Sequence, residues 1–147
     1  MATAMHSFRV KLTSAEKSVL DATYPPSRGS SDIGKRAVAI VKYYFRANST
    51  GCSFVEPPKG GDLAVLEAGG AEAKVFEVKG TSDSGLAWQQ LKVSSKHSHA
   101  LLTSGEASVL RVTDVYGPEP LVYELHHGQD FLLKPEERWT FKSIREA

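Results

Sequence analysis

The sequence predicts an α/β fold: a central mixed sheet with an antiparallel hairpin at its heart and flanking helices on both faces. Three observations predict it. Strand-like runs flank Gly69-Gly70, with Leu63-Ala64-Val65-Leu66 before and Lys74-Val75-Phe76-Glu77-Val78-Lys79 after, and paired glycines between such runs favour a hairpin because primed turns need positive φ. Ile33, Ala37, Ile40, Val41, Tyr44 and Phe45 recur at helical spacing before the hairpin. A second helical stretch and two β-rich runs follow it.

Taken in order, Met1 to Ser7 reads as flexible, and Phe8-Arg9-Val10-Lys11-Leu12 alternates as a short strand or an extended arm. Thr13-Ser14 with Glu16 forms a capping box for a helix to about Ala22, with Ala15, Val19 and Leu20 on its apolar side. Pro25-Pro26 stops it, and Ser27 to Ser31 is a polar loop. Ser31 or Asp32 caps a longer helix to about Asn48. Its opposite side carries Lys35, Arg36, Lys42 and Arg46, read as a solvated face or, alternatively, a phosphate-contacting rim.

Cys52 to Glu56 reads as a strand, and Pro57-Pro58 keeps the connection to Gly60-Gly61 at an edge or outside the sheet. A two-residue loop at Gly69-Gly70 pairs Ala68 with Ala71, Leu66 with Ala73, Ala64 with Val75 and Asp62 with Glu77. Gly80 to Gly85 is a polar loop, and Leu86, Gln90, Val93, His97, Ala100 and Leu101 predict a helix from Leu86 to about Leu102. Ala107 to Val115 is a strand, turned at Gly117-Pro118-Glu119-Pro120 into a last strand, Leu121 to Leu125. Gln129 to Lys134 reads as one helical turn stopped by Pro135. Trp139 and Phe141 are expected to pack the tail onto the body or onto a second copy, an aromatic platform for nucleic acid being the alternative.

The 147 residues, 41% hydrophobic and 24% charged, suit one domain, 1–147, with a sizeable core. No apolar run approaches the roughly 18 residues of a membrane span, and Met1 to Val10 lacks a signal-peptide h-region, so a cytoplasmic protein is expected. Cys52 is the single cysteine and lacks partners for a disulfide or zinc cluster. The net charge of +1 argues against extensive non-specific coating of DNA but leaves room for a local basic groove. No Gly-x-Ser-x-Gly elbow is present, and His97 and His99 are spaced so that they do not face each other on a helix.

The hairpin register sets Asp62 across from Glu77, and Lys79 shares the strand face of Glu77. Val78 points the other way, with Phe76 and Leu63. Two carboxylates can hold Mg²⁺ through oxygen ligands, and a neighbouring lysine can orient water or offset phosphate charge. The bland alternative is a solvated strand end with a cross-strand ion pair worth about 0.2–1 kcal/mol.

Asp62, followed across the hairpin by Glu77-Val78-Lys79, resembles the signature of the PD-(D/E)XK nucleases, and Glu77-Val78-Lys79-Gly80-Thr81 resembles the strand end of their restriction and DNA-defence subgroup. The resemblance runs from about Ile33 to Tyr123. It implies a restriction-endonuclease-like fold and a Mg²⁺-dependent DNA endonuclease, with Mn²⁺ as a substitute. It implies Asp62, Glu77 and the Val78 carbonyl as metal ligands, Lys79 to orient or deprotonate the attacking water, and Gln90, with Gln89 beside it, to position substrate or water. DNA is the expected partner, with a homodimer or a defence-system protein as a further one, and Lys59, Lys79, Lys92 and Lys96 are the expected phosphate contacts. The family's helical glutamate, commonly after a glycine, is replaced here by Lys35 after Gly34, the nearest acids being Glu16 and Asp32. The alternative is a non-catalytic nucleic-acid-binding or protein-interaction module on the same fold.

Overall fold

The computed structural model describes residues 5–26 and 29–145; the expectations for Met1 to Ala4 and for Ser27 and Arg28 lie outside them. The elements run β1 (His6–Arg9), α1 (Ser14–Thr23), α2 (Ser30–Asn48), β2 (Ser53–Val55), β3 (Leu63–Leu66), β4 (Lys74–Gly80), a 3₁₀ turn (Trp88–Gln90), α3 (Lys96–Ser104), β5 (Ala107–Thr113) and β6 (Leu121–Leu125). The six strands form one mixed sheet in the order β1-β6-β5-β4-β3-β2. Only β4 and β5 are parallel, joined by the crossover that contains α3; the other four pairings are antiparallel. Among the described residues no helix is long and apolar enough to cross a membrane.

Strand alternation divides the core in two. Leu63, Val65, Phe76, Val78, Leu110 and Val112 pack with Leu20 of α1 and with Ala37, Ile40 and Val41 of α2. On the other face Val75, Val109 and Leu125 pack with Leu102 of α3 and with Leu86, Leu91 and Val93. Helices therefore cover both faces, as the periodicities predict. The capping box of α1 forms as expected: Thr13 Oγ1 accepts from the Glu16 amide at 3.1 Å and Glu16 Oε1 accepts from the Thr13 amide at 2.9 Å.

The β3–β4 register is the expected one, with Ala64 opposite Val75, but the loop is not a two-residue Gly-Gly turn. The ladder stops at Val65 and Lys74. The turn spans Glu67 to Gly70, whose amide donates to the Glu67 carbonyl at 2.9 Å, and Gly69 takes φ 76° at its third position. The missing rungs would set Leu66 against Ala73, Glu67 against Glu72 and Ala68 against Ala71, so little side-chain contact, and one like-charge pair, would accompany closing them.

Four further expectations are corrected. β1 starts at His6, and its continuation leaves the ladder after Arg9, although Val10 and Leu12 still donate to the carbonyls of Pro120 and Pro118. The N-cap of α2 is Gly29 at φ 91°, not Ser31 or Asp32. Arg36 does not belong to a solvated basic face: it is fully buried, bonded to the Val115 carbonyl at 2.6 Å and the Tyr24 carbonyl at 3.2 Å, and paired with Asp21 at 2.9 Å. Leu86 to Leu102 is not one helix. Ser95 interrupts it by capping α3, its Oγ accepting from the amides of His97 and Ser98, which is where a short polar side chain competes best. Leu91 and Val93, in the preceding non-helical stretch, pack on the sheet.

The end of the chain also differs from expectation. His126 to Asp130 forms a turn rather than the helical turn expected over Gln129 to Lys134, its amides and the Asp130 carboxylate bonding across it. Trp139 is 93% exposed and Phe141 and Ile144 are equally free, so the tail does not pack on the body. Phe131 and Leu133 already cover the apolar patch around Leu125.

Gly60 fixes the entry into β3. It has φ 97°, its carbonyl accepts from Ser98 Oγ at 2.8 Å, and a Cβ on it would stand 2.6 Å from the backbone of His97 and of Ser98. Gly60→Ala is expected to destabilise by about 3 kcal/mol, combining overpacking with left-handed strain. Urea unfolding checks this; an unchanged midpoint would show that α3 can retreat without cost.

Candidate functional site

β4 presents Phe76 and Val78 to α2 and sends Val75, Glu77 and Lys79 to the face covered by α3. The Asp62 amide donates to the Phe76 carbonyl at 2.9 Å, but the ladder already ends at Leu63 opposite Phe76, so the expected rung between Asp62 and Glu77 does not form; Asp62 lies near enough for its charge to act on Glu77. Asp62 Oδ2 accepts from the Val78 amide at 2.8 Å, taking the place of a ladder carbonyl and tying the carboxylate to β4.

Glu77 is the unusual member. It is 5% exposed, its Oε1 lies 3.1 Å from Lys79 Nζ, and its Oε2 has no hydrogen-bond partner among the described residues. Burial pushes its pKa up, the Lys79 ammonium pulls it down, and the charge of Asp62 adds to the rise. Lys79 is a third exposed and Asp62 is exposed. The three charges therefore run from the interior to the surface. Asp62, Val78, Lys79, Thr81 and Gln90 line a cleft of about 540 Å³, together with Ser30 and Gly34 from the start of α2. Glu77 does not reach the cleft wall; the lysine paired with it does.

Gln90 lines the cleft from the 3₁₀ turn rather than from a helix. Its amide is already engaged: Oε1 accepts from Thr81 Oγ1 at 2.8 Å and from Arg111 Nη2 at 3.3 Å, and Nε2 donates to Asp83 Oδ2 at 3.2 Å. Gln90 thus ties down the loop after β4, and Gln89, its exposed neighbour, does not line the cleft. Neither Glu16, held in the α1 cap, nor Asp32 lines the cleft, so neither of these acids takes the place left by Lys35. Of the expected phosphate contacts, Lys59 and Lys96 are exposed, while Lys92 lies 3.4 Å from Glu136.

Asp83 and Arg111 were not foreseen from the sequence, and Thr81 only as the end of the strand motif. Arg111 is the neighbour of Lys79 in the parallel ladder and is 2% exposed. It donates to the carbonyls of Leu86, Gly80 and Ala87 as well as to Gln90. Burial lowers its pKa and Asp83 opposes that shift. A lone arginine inside Val109-Leu110-Arg111-Val112 was the available signal.

Among the described residues no group of three or more His, Cys, Asp or Glu side chains could hold a metal ion. The donors on offer are two carboxylates and a backbone carbonyl. All are hard oxygens, which fits Mg²⁺, an ion that keeps several waters and takes one or two protein carboxylates. An ion completing the unpartnered Glu77 Oε2 would sit beneath the cleft wall, which Glu77 itself does not reach. No family model, curated protein or solved structure matches the chain.

Proposed function

We propose that the chain is a Mg²⁺-dependent DNA endonuclease of restriction-endonuclease-like fold, hydrolysing phosphodiesters at the end of β4. The observation that carries the reading is Glu77: a carboxylate buried with one oxygen unpaired among the described residues, beside a lysine and within reach of the charge of a second carboxylate, Asp62. Such a group costs stability unless a cation completes it. Asp62, Glu77 and the Val78 carbonyl would hold the ion, whose chemistry is to lower the pKa of water and neutralise a phosphoryl oxygen. Lys79 meets the phosphate and the attacking water from the cleft wall. The 80–90 loop, held by Thr81, Gln90 and Arg111, shapes the substrate's path.

The sign of the Glu77 shift supplies a test. Its folded pKa is raised, so the folded state holds the proton more tightly than the unfolded state. Stability therefore falls as pH rises from the ordinary glutamate pKa of 4.5 through the folded pKa. At neutral pH Glu77→Gln is expected to raise the melting temperature of the metal-free protein, and below pH 4.5 the gain should vanish. Mg²⁺ at 100 times its Kd should stabilise the wild type by about 2.7 kcal/mol and the variant far less. Differential scanning calorimetry with and without Mg²⁺ reads both effects. A wild type indifferent to Mg²⁺ and Mn²⁺ would remove the metal from the mechanism.

A second reading, a non-catalytic nucleic-acid-binding or interaction module on the same fold, is favoured by Lys35 after Gly34 and by the Asp62 carboxylate already bonded to Val78. Failure to cleave plasmid, linear, nicked or single-stranded DNA with either ion would select it.

A further inference from the structure

Three large apolar side chains at the end of the described chain touch no core. Trp139, Phe141 and Ile144 are nearly or fully exposed, in a stretch from residue 132 to 144 with neither helix nor strand. Isolated exposed apolar residues need no explanation, but a run of them does. Arg138, Lys142 and Arg145 interleave with them. Three of the chain's 18 lysines and arginines thus fall in eight residues that hold none of its 17 acids, so the remaining residues net −2 against the whole chain's +1. Arg138 lies 3.7 Å from Glu136, both at the surface, where such a pair is readily exchanged for another.

We infer that Arg138 to Arg145 is a binding segment for single-stranded nucleic acid, which it delivers along a groove to Lys79. An extended chain puts Trp139 and Phe141 on the same side, about 6.6 Å apart. One stacked base occupies about 3.4 Å of rise, so the two rings have room for one base between them. Aromatic stacking joined to a basic backbone track is how proteins hold single strands without reading sequence. A duplex keeps its bases stacked on each other and offers the rings no face. A protein partner would equally take the rings, but it would not call for three cations among them.

The tail continues into the body at a useful place. Lys92, Lys134 and Glu136 line the groove from which it departs, and the adjoining apolar cavity of about 160 Å³ extends from Lys92 to Lys79. Cations thus mark the way from Arg145 to the cleft, with Glu136 and Glu137 the acids among them. The inference rests on the nucleic-acid reading of the site and narrows it to single strands or single-stranded flanks.

The test is a binding titration in EDTA, so that cleavage plays no part. Fluorescein-labelled oligothymidine is titrated with the full chain and followed by anisotropy, with a duplex of equal length as comparison. The expected result is tighter binding of the single strand, weakened tenfold or more by Trp139→Ala with Phe141→Ala, about the size of one lost base stack. Arg138→Ala, Lys142→Ala and Arg145→Ala together should reduce the slope of log affinity against log salt by about 2. Trp139 and Phe141 are almost wholly exposed and Arg138 makes only a surface pair with Glu136, so the variants are expected to keep the fold. Equal affinity of wild type and the aromatic variant would overturn the inference. So would a wild type that ignores the oligonucleotide but dimerises in sedimentation through the same two rings. Strand binding without cleavage in Mg²⁺ would keep this inference and sink the nuclease; cleavage with no role for the tail would do the reverse.

Discussion

Lys79→Ala is expected to slow single-turnover cleavage by at least about 10²-fold while leaving the fold and the metal affinity largely intact. Positioned proton-transfer groups and charge-stabilising donors each contribute about 10²- to 10⁴-fold, and Lys79 is the ammonium on the cleft wall next to Glu77. A protonated lysine has no lone pair to offer a metal. Its loss therefore acts on the water and on the charge that develops on phosphate. One side effect is expected. Lys79 pulls the Glu77 pKa down, so the variant's residual activity should need a higher pH to ionise Glu77. If Glu77 holds a metal as proposed, Glu77→Gln is expected to act differently, weakening metal binding itself, because a neutral amide is a poorer ligand for a hard cation. Metal titration and single-turnover cleavage on both variants separate the roles. If wild type cleaves and Lys79→Ala cleaves as fast, Lys79 is only the counter-charge that keeps Glu77 ionised.

The hairpin and its register were legible because alternation and two glycines specify them locally. Leu63, Phe76 and Val78 had to share a face, and a slip of one residue would have turned all of them outward. The same logic placed Glu77 beside Lys79, whereas the ladder ends at Leu63 and Phe76 before the expected rung between Asp62 and Glu77. The burial of Glu77 under Lys79 and the tie from Asp62 to Val78 depend on what packs above the strands, which alternation does not encode. Leu86 to Leu102 misled because its apolar spacing fits a helix, while Ser95 and the packing of Leu91 and Val93 on the sheet decide otherwise. Arg36 misled in the opposite way. On a helical wheel it falls with the cations, but the carbonyls of Tyr24 and Val115 close around it, and no local pattern announces acceptors 12 and 79 residues away. Gln90 was found for its position, yet its partners Thr81, Asp83 and Arg111 came into view only with the loop's conformation.

Arg111 carries the largest expected effect on stability. Two opposing terms set it. Burial of an unneutralised guanidinium is costly, as its lowered pKa records, and an apolar replacement would recover that cost. Against this stand four hydrogen bonds, to Leu86, Gly80, Ala87 and Gln90. Bonds to a charged donor are worth about 1.5–3 kcal/mol each, and the half-buried carbonyls of Gly80, Leu86 and Ala87 would lose those partners. The hydrogen bonds outweigh the desolvation, so Arg111→Ala is expected to cost about 3–5 kcal/mol, within the range for breaking a buried charged network. Arg111→Lys should rescue little, since a single ammonium cannot span the carbonyls that the planar fork joins. The loop between Gly80 and Gln90 should loosen first, because Gly80, Leu86, Ala87 and Gln90 all hang on that one side chain. Urea unfolding gives the stability, and hydrogen exchange of the amides of Gln90 and Leu91, which bond within the 3₁₀ turn, gives the local effect. An Arg111→Ala protein as stable as wild type, with those amides equally protected, would mean that the turn is held by Leu86 and Leu91 packing on the sheet and not by the arginine.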